Sequence, residues 1–151
     1  MTKKVETYLL DGNNTSNIPV PHDCEIKDIR ENDDCLIINF EDDISDHDSI
    51  RAVHPDAQTL TIRFHLVYGG LQGIYQHRRS KKHGDGYMLV KSLKKLKKLI
   101  MGCGCPATYL YHYVAYHQVI LELCVDDSTL LMLWADSVEF EWTLKDPSET
   151  E

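Results

Sequence analysis

From Thr59 to Tyr68 the chain alternates: Leu60, Ile62, Phe64, Leu66 and Tyr68 are apolar, and Thr59, Thr61, Arg63, His65 and Val67 separate them. A period of two predicts a strand with one row on a core and a mixed row towards solvent. Cys24 to Ile29 and Cys35 to Phe40 flank the polar run Arg30 to Asp34 and predict a hairpin. In the last third, Thr108 to Tyr116, His117 to Val125, Thr129 to Trp134 and Val138 to Trp142 predict four more strands. Asp126-Asp127-Ser128 and Ala135-Asp136-Ser137 supply short turns between the last three, which favours an antiparallel meander. Leu130 to Trp134 is apolar at every position and predicts a central strand covered on both faces.

The period changes once. Between Lys91 and Met101, Leu93, Leu96, Leu99 and Ile100 fall on one stripe and lysines fill the other face, which predicts an amphipathic helix ending at Gly102. No acid stands at i±4 from the lysines, so packing of the leucine stripe must hold this helix, and a sheet face is its natural support. A second, shorter helix is expected over 46–53, with Ser45 as cap, Asp48 in its first turn and Pro55 as a stop. Val5 to Leu10 predicts a short first strand, and the residues from Asp11 to Asn17, followed by Pro19 and Pro21, predict a loop. The fold class these elements imply is α+β: a mainly antiparallel, twisted or partly rolled sheet of about six or seven strands carrying one basic helix. At 151 residues one domain is expected, with a loop-rich arm over 1–22 and a frayed tail over 145–151.

Charge adds what periodicity does not. The chain carries a formal −8, yet the window from Arg78 to Lys98 holds nine of the sixteen cations and one acid, Asp85. That window is +8 and the remainder −16, a segregation that gives one surface a field able to attract anions or an acidic partner. The net acidity argues against general binding to duplex DNA or an anionic membrane. No apolar run is long enough to span a bilayer, and five cysteines, an odd number, three of them in strand-like runs, suit a reducing compartment; a cytoplasmic location is expected.

Candidate chemistry is thin. Arg78, Arg79, Lys81 and Lys82 on the expected loop from Gln76 to Gly86, with Lys94, Lys95, Lys97 and Lys98 on the helix, form the candidate basic interaction surface. Tyr109, Tyr111 and Tyr113 share one face of a strand and, with His117, could line an aromatic groove. Five acids and His47 lie between Glu41 and Asp48, where a hard cation could sit, although the alternating acids and central Gly of a calcium loop are missing. Cys103 and Cys105 could reach one soft metal, but a second cysteine pair is lacking, and His112 and His117 point to opposite faces of a strand. Gly69-Gly70-Leu71-Gln72-Gly73 has neither phosphate-loop spacing, and no serine stands in a GxSxG elbow. No catalytic residue, metal ligand or cofactor is therefore assigned. The expectation is a small non-enzymatic interaction module engaging a protein partner or a second copy through its basic surface. The alternatives are local binding of single-stranded nucleic acid by the 78–98 window and a metal-dependent hydrolase using the 41–48 acids with His47 as base.

Overall fold

The computed structural model of the chain describes residues 1–13 and 15–149. Eight antiparallel strands make one open sheet: β1 (Thr2–Leu9), β2 (Ile26–Asn32), β3 (Cys35–Phe40), β4 (Ala57–Ser80), β5 (Gly84–Leu89), β6 (Thr108–Ala115), β7 (Gln118–Val125) and β8 (Asp127–Leu144). Their order is β2-β3-β4-β8-β7-β6, with β1 added to β8 and β5 to β4. Two helices complete the chain, α1 (Asp48–Arg51) and α2 (Leu93–Met101). No helix among the described residues is long and apolar enough to cross a membrane.

The architecture rests on β4 and β8, which pair along nearly their whole length and bend together. On one side of the bend, 57–66 of β4 and 135–144 of β8 join β3, β2 and β1; this is the near half. On the other side, 71–80 of β4 and 127–133 of β8 join β5, β7 and β6; this is the far half. Each strand turns the corner with a bulge. In β8 the buried positions are Thr129, Leu131, Leu133 and Ala135, then Val138, Phe140 and Trp142, so one extra residue, Asp136, shifts the parity and keeps both runs on one core. In β4, four residues from Val67 to Gly70 stand opposite Trp134 alone, and Tyr68, Gly69 and Gly70 have φ of 50°, 88° and 69°. Gly70 has a second reason to be glycine, since a Cβ there would lie 3.1 Å from Cδ1 of Leu66.

Several expectations therefore change. The strand expected to end at Tyr68 continues through a bulge at the glycine run, and β4 goes on into a β4–β5 ribbon where the basic loop was expected. The two last expected strands are one, because a bulge at Asp136 replaces the turn. The sheet has eight strands: the first strand expected over Val5 to Leu10 starts earlier, with β1 pairing with β8 from Thr2↔Leu144 to Leu9↔Ser137, and β5 is an addition. Of the tail, Asp146 holds the amino terminus at 2.6 Å and Lys145 bonds to Asp56, while 150–151 lie outside the described residues. The polar turn between β2 and β3 contracts to Asp33 and Asp34, both at positive φ as a two-residue hairpin connection requires. The short helix is one turn, and Ser45 does not cap it: its N–H bonds to Asp43, and His47 stands at the cap position without a side-chain capping bond.

α2 begins where Ser92 accepts a bond from the N–H of Lys95 (3.1 Å). Leu96 is fully buried, worth about 2 kcal/mol, and Leu93, Leu99 and Ile100 pack beside it. The helix lies against β2, not against the outer side of Leu130–Trp134, so that strand segment is central but covered on one face only. The outer sheet edges touch at one corner, where Glu25 bridges Thr108 and the N–H of Tyr109 donates to Cys24.

Candidate docking surface

The residues that point away from the core differ sharply between the two halves. In the near half the outward row of β8 is Ser137, Glu139, Glu141 and Thr143, opposite His65, Arg63, Thr61 and Thr59 of β4. Arg63 donates to Glu139 at 3.3 Å and to Glu141 at 3.5 Å, Lys3 reaches Glu141 at 3.4 Å, and Thr59 bonds Thr143 across the strands. The charges of β4 and β8 are satisfied by these cross-strand pairs, with Val5 and Leu9 of β1 exposed at the margin.

In the far half the same strands turn apolar side chains outward. β8 presents Leu130, Met132 and Trp134, and β7 presents Ile120; none of these four is fully buried. β4 contributes Tyr75, whose ring covers Gly73 so closely that a Cβ there would sit 2.7 Å from Cε2. At the margins Tyr87 and Leu89 of β5 are 50% and 62% exposed, and Tyr111 and Tyr113 of β6 are 47% and 53% exposed. Polar groups on this face bond to one another: Tyr113 donates to Glu122 (3.1 Å), Ser128 stands between Glu122 and Tyr87 (3.4 and 3.2 Å), and His77 meets Asp127 (3.0 Å). The bond to Glu122 pushes the Tyr113 hydroxyl up, and the His77 bond holds the Asp127 carboxyl below its usual range. The carbon surface between them is uncovered.

An aromatic cluster closes the bend end of this face. Tyr68 lies 6.0 Å from the His117 ring and edge-on to Trp134 at 6.1 Å, and Tyr116 stacks on His117 at 4.0 Å. Main-chain bonds fix His117: its N–H donates to Leu10 and its carbonyl accepts from Ala135. Its Nδ1 is buried with no hydrogen-bond partner, and the rings of Tyr68 and Tyr116 pack against it. Beside Tyr68, in one open depression, lies the acidic turn of Glu31, Asp33 and Asp34.

The residues singled out from sequence are dispersed. A bulge at Leu110 splits the tyrosine row: Tyr109 points inward, fully buried, with its hydroxyl 2.6 Å from Nδ1 of His112, while Tyr111 and Tyr113 face out. Burial lowers the His112 pKa to about 4, so this pair is a neutral part of the core. Tyr109 thus cannot line a groove with Tyr111, Tyr113 and His117. Arg78, Arg79, Lys81 and Lys82 lie at the β4–β5 tip, whereas Lys94, Lys95, Lys97 and Lys98 lie on α2 beyond the whole of β5, about 20 Å of strand. Lys97 pairs with Asp28 at 3.1 Å; burial pushes the Asp28 carboxyl up, but Lys97 and Arg30 outweigh it and hold it low.

Four of the five acids of 41–48 are engaged locally. Glu41 binds His47 (2.6 Å) and the N–H of Glu25 (2.8 Å), Asp42 pairs with Lys27 (2.7 Å), Asp43 accepts from Ser45, and Asp48 pairs with Arg51. The Cys103 thiol is pushed up by burial and by Asp126, whereas Cys105 is exposed. No group of three or more His, Cys, Asp or Glu side chains placed to hold a metal occurs among the described residues. Sequence reasoning missed the outward apolar face although its signal was present: an unbroken apolar run, Leu130 to Trp134, needs two covers, and only one was available. No protein-family model, curated protein or solved structure matches this chain.

Proposed function

We propose that this chain is a non-enzymatic protein-interaction module whose contact surface is the outer face of the far half, with the basic β4–β5 tip at its end. One observation carries the reading: β4 and β8 run through both halves, and they carry ion-paired polar residues outward in one and half-buried Leu130, Met132, Trp134 and Tyr75 in the other. Monomeric proteins rarely expose contiguous apolar surface beyond a few hundred Å² unless something docks there. Half-exposed tyrosines at the margin are side chains that interfaces favour, since they bury large area at little entropic loss. The expected basic surface narrows to the tip, because β5 separates it from the lysines of α2. Five unbonded thiols suit a cytoplasmic setting.

A photo-crosslinking side chain placed at Met132, and another at Thr61, tests the reading in cells that make the protein. The expected result is a discrete adduct from position 132, absent from position 61 and lost when Leu130→Asp is added. Equal labelling from both positions, or none from either, would remove it. A second reading, single-stranded nucleic acid at the tip, draws on Tyr87, half exposed two residues from Asp85, which pairs across the ribbon with Arg79. A flat oligothymidine titration at low salt rejects that reading, and a steep loss of affinity with salt supports it.

A further inference from the structure

We infer that the occupant of this face is a second copy of the chain, packed face to face about a two-fold axis that crosses the strands, so that the basic tip of each copy meets the acidic turn of the other. The inference rests on the docking reading above and adds the identity and orientation of the partner.

The two ends of the face carry opposite charge. At the bend end, Glu31, Asp33 and Asp34 border the depression shared with Tyr68, and Tyr68 adjoins Trp134 on the face itself. At the other end, β4 runs past its last partner in β8 at Gln76↔Thr129 and projects with β5 as a ribbon carrying Arg78, Arg79, Lys81 and Lys82. Asp85 at the tip stands opposite Arg79, and Asp127 lies near it, so Lys81 and Lys82 keep no carboxylate of their own among the described residues. From Leu71 to Ser80 the strand spans about 30 Å, nearly four Debye lengths of about 8 Å at physiological salt, so the two charges act as separate poles.

Symmetry then decides between arrangements. An axis along the strands would set tip against tip and turn against turn, two like-charge contacts. An axis across the strands superposes each tip on the opposite turn and lays the Leu130, Met132 and Trp134 row antiparallel on the same row of the other copy, Leu130 against Trp134 and Met132 against Met132, an isologous contact with both poles matched. Five strands at about 4.8 Å spacing and about eight residues of length give roughly 600 Å² per copy, or about 1,200 Å² in all, the lower bound of a specific interface. A weak, salt-sensitive dimer is the object this surface builds.

Sedimentation velocity of the full chain at about 50 mM and about 500 mM salt reads the prediction, with dimer favoured at the lower concentration of salt. Lys81→Glu/Lys82→Glu reverses the tip. Glu31→Lys/Asp33→Asn/Asp34→Asn reverses the turn while keeping residues that tolerate positive φ. Each set alone is expected to weaken dimerisation by about tenfold or more, an equimolar mixture of the two to restore it, and the chain carrying both sets to dimerise again. Unchanged melting curves confirm that the variants fold. A wild-type dimer indifferent to these reversals overturns the arrangement. A wild-type monomer that still crosslinks another protein from Met132 overturns self-pairing and leaves the docking surface standing; a monomer without that adduct removes both.

Discussion

The near and far halves of the sheet are made by the same two strands and share one core, yet β4 and β8 turn charged residues outward in one and apolar residues outward in the other. There, each outward charge finds a partner within the sheet, as Arg63 does with Glu139 and Glu141. In the far half the outward row is apolar and neither helix covers it, because α2 is spent against β2. The contrast separates two uses of one strand architecture. A face that satisfies its own polar groups is finished at the level of the monomer, whereas an apolar face keeps free energy for an association.

Truncating the two tryptophans of β8 tests the contrast at its largest. Trp142→Ala, at a fully buried near-half position, should cost about 3–5 kcal/mol in urea denaturation, and Trp134→Ala, on the outer face, about 1 kcal/mol or less. An equal cost at both sites would mean that the far face is core and would end the comparison.

A pH titration probes the inner side of the far half. His112 stays neutral in the folded protein down to about 4, whereas its ordinary value is 6.5. A depressed histidine leaves stability intact above pH 6.5 and removes it as the pH falls from there towards 4, by up to about 3 kcal/mol. His112→Gln should flatten that slope in denaturation measured between pH 7 and 4; an unchanged slope would place the proton uptake elsewhere.

The bend joining the halves is the next point of attack. Gly70→Ala puts a methyl at positive φ and 3.1 Å from Leu66, and a loss of about 1–2 kcal/mol is expected by thermal denaturation. Smallest is the outer near face: Arg63→Met removes two half-exposed ion pairs and should cost at most about 1 kcal/mol, a loss that shrinks in high salt. Ile120→Thr, on the far face, should leave the monomer within about 0.5 kcal/mol and weaken association instead. A larger destabilisation at Ile120 than at Arg63 would show the far face holding the fold together.

The elements legible in the sequence were those whose signal is local. Leu60, Ile62 and Phe64 are buried on one side of β4 as their alternation predicts, and α2 buries Leu96 behind the cap of Ser92. What sequence reading missed turns on single residues inserted into pairing. Asp136 resembles a turn until β4 is set beside β8, where it is a bulge; Leu110 breaks a tyrosine row that a regular strand would keep on one side. Gly69 and Gly70 follow the expected end of the strand at Tyr68, but they form the corner of one long strand, at positive φ.

By itself the sequence determined that Leu60 to Leu66 and the strands of the last third extend, that Leu93 to Met101 coils, and that cationic and acidic residues are segregated along the chain, because periodicity, capping and charge are properties of neighbours. Only the tertiary structure decided that two strands pass through two halves, that α2 settles on β2, and that Leu130, Met132 and Trp134 are left half-buried between an acidic turn and a basic tip. Those outcomes depend on which distant segments pair and in what register, and a one-residue shift in register exchanges the face that is buried for the face that is free.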